Sequence, residues 1–210
     1  ATWRAVQSMA FPRAYHTLTL LPDGTVLATG GGPTTAPTNV AQGILPVELW
    51  NPTTETWTTL ASLNVGRLYH SAAMLLPDGR VAVYSGGRFD DNNVPTDQYN
   101  AEFFSPPYLF KGTRPIITSA PTTVGFGANF TVQTPDAARI AKVALIRFGS
   151  VTHSINMAQR YVPLSFTAGS GSLSARSTRA SIRSATRAPA AAATSAARPA
   201  GATVPTTSGA

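Results

Sequence analysis

The chain has 210 residues, of which 12% are charged, and it contains 17 Gly, 17 Pro and no Cys. The absence of cysteine excludes disulfides and zinc-thiolate sites within this sequence, and no apolar run approaches the roughly 20 residues of a membrane helix. The formal net charge is +7, but the last 37 residues hold five Arg and no acid, so the charge belongs mainly to this end and does not indicate a nucleic-acid partner.

The first 112 residues contain a repeated unit. Four residue types recur 54 positions later: Trp3, Arg13, Tyr15 and His16 correspond to Trp57, Arg67, Tyr69 and His70. A period near 50 with several strands per unit is typical of a kelch-type propeller blade.

Each unit carries the elements of such a blade. Two apolar runs flank Leu-Pro-Asp-Gly at 21–24 and again at 76–79. Pro fixes φ, Asp bonds back to the backbone and Gly supplies positive φ, so each pair of runs predicts a hairpin. A third strand follows at 47–50 and at 101–104, and 55–58 predicts a fourth strand. The fold class is therefore all-β, with a partial propeller of about two blades over 1–112. A closed ring needs about four to eight blades, which predicts a longer parent protein.

After Arg114-Pro115 the repeat stops. Short β-type runs at 130–132, 143–148 and 161–164 are separated by turn residues, which predicts an incomplete β-sandwich over 113–173. Residues 174–210 contain 13 Ala and no aromatic or acid, which predicts a disordered tail. Two origins stay open for this tail, a natural flexible segment or a shifted reading frame in GC-rich coding sequence.

Two places offer candidate metal ligands. Neighbouring residues in a strand point to opposite faces, so Tyr69 and His70 can reach one ion only where a strand begins, and the strand is expected to begin at about Ser71. The alternative is that Arg-x-Tyr-His is a structural feature of the blade, as the copy at 15–16 suggests. His153 follows the 143–148 strand in a predicted loop, where it is either a ligand or an ordinary surface residue.

Longer segments resemble a known family. The runs NVGRLYHSAAMLLPDGRVAVYSGG, AEFFSPPYLF, TRPIITSAP and KVALIRFGSVTHSINMAQRYVPL are similar to the C-terminal part of galactose oxidase and of glyoxal oxidase-like copper-radical oxidases. The resemblance covers about residues 3–167, and its most specific element is THS-x-N-x-x-QR after an apolar strand. It implies a kelch propeller followed by an immunoglobulin-like domain.

The resemblance also implies a copper site. Tyr69 corresponds to the axial tyrosine that binds copper and accepts the proton of the substrate, and His70 and His153 correspond to two further copper ligands. In the family, a tyrosine joined covalently to a cysteine supplies a radical, and a primary alcohol or aldehyde is oxidised with O2 to give H2O2. No residue here matches that Tyr–Cys cofactor, so the chain alone is expected to be inactive.

Other expectations follow from the same resemblance. The protein is expected to be secreted or attached to the cell surface, to be monomeric, and to act on a small alcohol, aldehyde or sugar. Tyr15, His16 and Arg67 are interpreted as structural or near the metal, and the loop 32–46 as a flexible surface loop that alternatively shapes the substrate pocket. Two alternatives stay open, a non-catalytic kelch module that binds protein or glycan and a family member that has lost its cofactor.

Overall fold

A computed structural model describes residues 2–33, 40–87 and 96–177. The described part is all-β, as predicted, and its helical segments are three short 3-10 turns at Val40–Gln42, Pro107–Phe110 and Ala137–Arg139. None of the described helices is long and apolar enough to cross a membrane.

The first repeat unit forms a four-stranded antiparallel sheet in the order β1-β2-β3-β4. Its strands are β1 (Thr17–Leu20), β2 (Val26–Thr29), β3 (Pro46–Asn51) and β4 (Thr56–Ser62). The strand predicted at 55–58 is present as part of β4. Because β1 lies at the edge of this sheet, the backbone groups on its outer side need partners from outside the sheet.

The second unit repeats the first three strands in the order β5-β6-β7. These strands are β5 (Ser71–Leu75), β6 (Val81–Ser85) and β7 (Ala101–Phe104). β1 and β5 occupy equivalent places in the two sheets and contact each other. The sheets therefore pack side by side through their first strands.

The Pro-Asp-Gly turns close both hairpins as predicted. In the first turn, Asp23 Oδ1 accepts a hydrogen bond from the Thr25 N–H at 3.0 Å, and Gly24 has φ +89°. The second turn repeats this geometry, since Asp78 Oδ1 accepts a hydrogen bond from the Arg80 N–H and Gly79 also has φ +89°. A residue with a Cβ would be strained at either glycine.

A buried arginine holds each sheet together. Arg13 pairs with Glu48 at 2.7 Å, and both side chains are fully buried. Arg67 pairs with Glu102 at 3.2 Å and also donates to the Ser85 carbonyl. Each arginine thus connects the segment before the first strand to the third strand, which gives Arg67 a structural role in its sheet.

The second module contains a four-stranded antiparallel sheet in the order β8-β13-β12-β9. Its strands are β8 (Asn129–Gln133), β9 (Val143–Arg147), β12 (Arg160–Gly169) and β13 (Ser172–Arg176). β13 reaches into the segment predicted as a tail from 174, because Leu173 and Ala175 alternate into the core of this module. The rest of that segment, 178–210, lies outside the described residues.

The second module also packs against the hydrophobic core of the repeat sheets. Ile146 of β9 is buried in the core cluster of the first two sheets, and Phe148 and Tyr161 pack against the same cluster. A Cβ added at Gly24 would lie 3.2 Å from Cζ of Tyr161, so this ring covers the first Pro-Asp-Gly turn. These contacts fix the second module against the repeat units.

Candidate metal centre

Tyr69 and His70 form the turn that leads into β5, which begins at Ser71 as predicted. His70 has φ +64°, and the Ser71 N–H donates to the Leu68 carbonyl at 3.0 Å. In this left-handed conformation the pair escapes the strand alternation that would separate the two side chains. The ring centroids of Tyr69 and His70 are 4.0 Å apart.

His153 lies in the predicted loop after the 143–148 strand, and this loop is a hairpin with His153 at its tip. β10 (Ser150–Thr152) and β11 (Ile155–Met157) pair antiparallel, which leaves His153 and Ser154 as a two-residue turn. Both turn residues have positive φ, 51° and 64°, as a type I′ turn requires. This turn places the imidazole at the tip of the hairpin.

The hairpin brings His153 to the Tyr69-His70 pair. The ring centroid of His153 is 4.8 Å from that of His70 and 5.4 Å from that of Tyr69. All three predicted site residues therefore meet in one cluster, although they come from two modules. Both histidines are exposed, so the cluster is open to solvent.

Hydrogen bonds orient the two imidazoles. His70 Nδ1 lies 3.0 Å from the Gly87 carbonyl oxygen, which can only accept, so Nδ1 carries the proton and Nε2 keeps the lone pair for a ligand. His153 Nδ1 lies 2.7 Å from the Thr152 hydroxyl. In both rings, a neighbouring oxygen engages Nδ1 and fixes the orientation of the ring.

This set of donors fits a cupric ion. Imidazole nitrogens and a phenolate oxygen are ligands that suit Cu(II). Within the described ranges, no three His, Cys, Asp or Glu side chains are placed to hold a metal ion together, so a third protein ligand here would be the phenol of Tyr69 beside the two imidazoles. The ring of Tyr69 lies beside both imidazoles, with centroid distances of 4.0 Å to His70 and 5.4 Å to His153.

The first repeat supplies a further ring to the cluster. Tyr15 contacts Tyr69 edge to face, with ring centroids 5.4 Å apart. Here Tyr15 has the left-handed conformation, φ +58°, whereas in the second repeat His70 has it. The two Tyr-His pairs thus match in sequence but differ in backbone conformation, and the sequence gives no signal for this difference.

His16 is held by its own repeat. Its Nδ1 donates to the Arg13 carbonyl at 3.2 Å. Burial, and secondarily the positive charge of Arg13, lower the pKa of His16 below its ordinary value. Residues 34–39 of the predicted loop 32–46 lie outside the described residues, so its role at the site stays a prediction.

Asn156 and Gln159 belong to the THS-x-N-x-x-QR motif, but the sequence alone predicts no role for them. The Gln159 carboxamide accepts from the Leu20 N–H and donates to the Leu18 carbonyl, both at 2.9 Å. Asn156 donates to the same Leu18 carbonyl at 3.2 Å. Both side chains therefore attach the 150–157 hairpin and the chain after it to β1.

Comparisons with known proteins find relatives among oxidases. Residues 114–197 match the model of the galactose oxidase-like, early set domain family. A galactose oxidase of Gibberella zeae is 35% identical over 173 residues, which are 80% of this chain and 25% of that protein. An aldehyde oxidase, GLOX, of Vitis pseudoreticulata is 36% identical over 117 residues, which are 50% of this chain and 22% of that protein.

A solved structure covers nearly the whole chain. A fungal alcohol oxidase of the AA5 family, in complex with copper, superimposes with a TM-score of 0.76 and 25% identity over 92% of this chain and 43% of its own. The chain spans about a quarter of the length of the Gibberella zeae enzyme, so these similarities concern one part of the related enzymes.

Proposed function

This chain is homologous to galactose oxidase and glyoxal oxidase, and from that homology we propose that it supplies part of a copper-radical oxidase. In this proposal the two sheets of residues 1–112 are blades of a kelch propeller, and the early set module follows them. The observation that carries the proposal is the convergence of Tyr69, His70 and His153 in one ring cluster.

We propose that these three residues hold one copper ion, which would accept one of the two electrons that leave the substrate. Two imidazoles and a phenol, drawn from two modules, would make the site depend on module docking. Because Gly87 holds the proton on His70 Nδ1, this ring would bind through Nε2.

Tyr69 is the proposed proton acceptor. A phenol beside a cation has a lowered pKa, so its phenolate can take the hydroxyl proton of a bound alcohol. Tyr15 packs edge to face on the Tyr69 ring and would help to hold it in place for this transfer.

The overall reaction balances with dioxygen as the oxidant. A primary alcohol loses two electrons and two protons to become an aldehyde, and dioxygen accepts both to become hydrogen peroxide. An aldehyde substrate is oxidised in the same way as its hydrate. The second electron would be taken by a Tyr–Cys radical, for which this sequence has no cysteine. We therefore propose that the remaining blades of a longer parent carry that cofactor, and that this segment alone is inactive.

The setting of the enzyme is proposed from the same homology. We infer a secreted or surface-attached, monomeric protein that uses a small alcohol, aldehyde or sugar and needs no nucleic acid. A kelch module that only binds protein or glycan has no use for three converging ligand-type side chains from two modules. The ring cluster therefore favours the oxidase.

Copper content and peroxide formation test this function in the intact parent protein. We expect about one copper per chain, and loss of both copper and peroxide in His70→Ala and in His153→Ala. Tyr69→Phe should retain copper on the two imidazoles but lose turnover, because the proton acceptor is gone. Metal analysis and a peroxidase-coupled assay give both values.

His16→Ala is the matched control, since this histidine has the same repeat position as His70 but bonds within its own sheet. It should retain the copper content of the unmodified protein. Full copper content in His70→Ala or in His153→Ala would refute the ligand assignment.

A further inference from the structure

The 150–157 hairpin lies between the first strands of the two repeat sheets. β10 contacts β5, and β11 contacts β1. Neither contact forms a backbone ladder, because β10 and β11 pair only with each other among the described strands. The ladder of β9 with β12 holds the base of the hairpin at Arg147 and Arg160. Beyond this base, side-chain contacts attach the hairpin to β1 and β5 and so help to set the position of His153.

Gln159 provides such a fixed point. In an antiparallel edge strand, the backbone groups of alternate residues bond to the neighbouring strand, and those of the residues between them point outward. The Leu20 N–H and the Leu18 carbonyl are on the outward side of β1. The Gln159 carboxamide accepts from the Leu20 N–H and donates to the Leu18 carbonyl, both at 2.9 Å. One side chain thus continues the hydrogen-bond pattern of the sheet at its open edge.

Asn156 adds a second attachment nearer to the tip of the hairpin. Its Nδ2 donates to the Leu18 carbonyl at 3.2 Å, and its buried Oδ1 has no hydrogen-bond partner. A Cβ at Gly149 would overlap this carboxamide, and no other atom stands among the three nearest. Gly149 therefore leaves the space that Asn156 occupies.

We propose that Gln159 and Asn156 are positioning residues that clamp the hairpin to β1 and thereby place His153 against Tyr69 and His70. Neither side chain touches the ring cluster in any contact described above, so both act through the hairpin. This inference rests on the proposed copper site for its effect on metal binding. The other part of the inference, that these side chains place His153, does not depend on a bound metal.

The test compares variants of the full chain. Gln159→Met keeps the length of the side chain but removes both hydrogen bonds. Gln133→Met, at an exposed position of β8, is the matched control. Gly149→Ala removes no hydrogen-bonding group, and its added methyl group displaces only the Asn156 side chain. This second variant tests the proposal if Gln159→Met does not fold.

Two measurements on the metal-free chain report on the clamp. Gln159→Met should accelerate hydrogen exchange of the Leu20 amide, because its acceptor is lost. Both Gln159→Met and Gly149→Ala should reduce the ring-current shift that Tyr69 imposes on the imidazole protons of His153. With Cu(II) added, both should weaken metal affinity by about 10–100-fold, the usual effect of losing a group that orients a ligand. Gln133→Met should change none of these values.

The outcomes separate the clamp from the copper site. If Gln159→Met exposes the Leu20 amide while the His153 shift and the copper affinity stay at their original values, the residue is merely structural and the proposal is wrong. An unchanged Leu20 amide would refute the bond itself. If neither this chain nor the intact parent binds copper, the proposed function fails, and the His153 shift in the variants still decides whether the clamp exists.

Discussion

At the residue scale, the candidate site is built on left-handed backbone. Tyr15, His70 and His153 have φ of 58°, 64° and 51°, and each belongs to the ring cluster. Such conformations are uncommon for residues other than glycine and cost on the order of 1–3 kcal/mol each. They persist here because the flanking strands and turns fix them. As a result, side chains that are adjacent or distant in sequence meet in the ring cluster.

His16 should make the stability of the fold sensitive to acid. Burial and the charge of Arg13 lower the pKa of His16 in the folded chain, and the hydrogen bond to the Arg13 carbonyl and the charge of Glu48 offset part of this effect. The unfolded chain therefore takes up a proton at higher pH than the folded chain does. The resulting stability is present above the ordinary histidine pKa of about 6.5 and is lost as the pH falls below it.

In His16→Gln this pH dependence should become weaker. Urea midpoints measured between pH 8 and pH 5 should fall less steeply for the variant than for the unmodified chain, since His70 and His153 are common to both. Parallel curves would show that His16 does not contribute.

At the element scale, each repeat sheet contains an ion pair whose arginine is fully buried. Arg13→Met leaves the fully buried Glu48 carboxylate without its partner and should lower the free energy of unfolding by about 3–5 kcal/mol. Arg67→Met should cost less, because Glu102 is partly exposed and also accepts from the Asn64 and Val65 amides. Urea denaturation of both variants measures the difference. An equal loss would contradict the assigned importance of burial.

Elements were predictable from sequence where their signals are local. Pro-Asp-Gly specifies its turn through three adjacent residues, and β5 begins at Ser71 as the apolar pattern indicates. The 150–157 hairpin was missed because its strands are only three residues long and its turn, His153-Ser154, lacks the usual Asn-Gly signal. The meeting of His153 with Tyr69 depends on contacts between modules, which no local pattern encodes.

At the scale of the whole molecule, the site is a consequence of docking. Ile146 is buried in the core of the repeat sheets, Tyr161 covers the Gly24 turn, and Gln159 joins the edge of β1. Together these contacts hold the second module so that its hairpin reaches the Tyr69-His70 turn. A copper ion bound at this point would be shared by both modules.

The central claim is that one cupric ion is bound by imidazoles from both modules. Electron paramagnetic resonance of the Cu(II)-loaded chain tests it most directly, because the nitrogen hyperfine pattern counts the bound imidazoles. We predict two equivalent nitrogens in the unmodified chain and one in His153→Ala, with His16→Ala unchanged. A pattern that stays the same in His153→Ala would contradict the account.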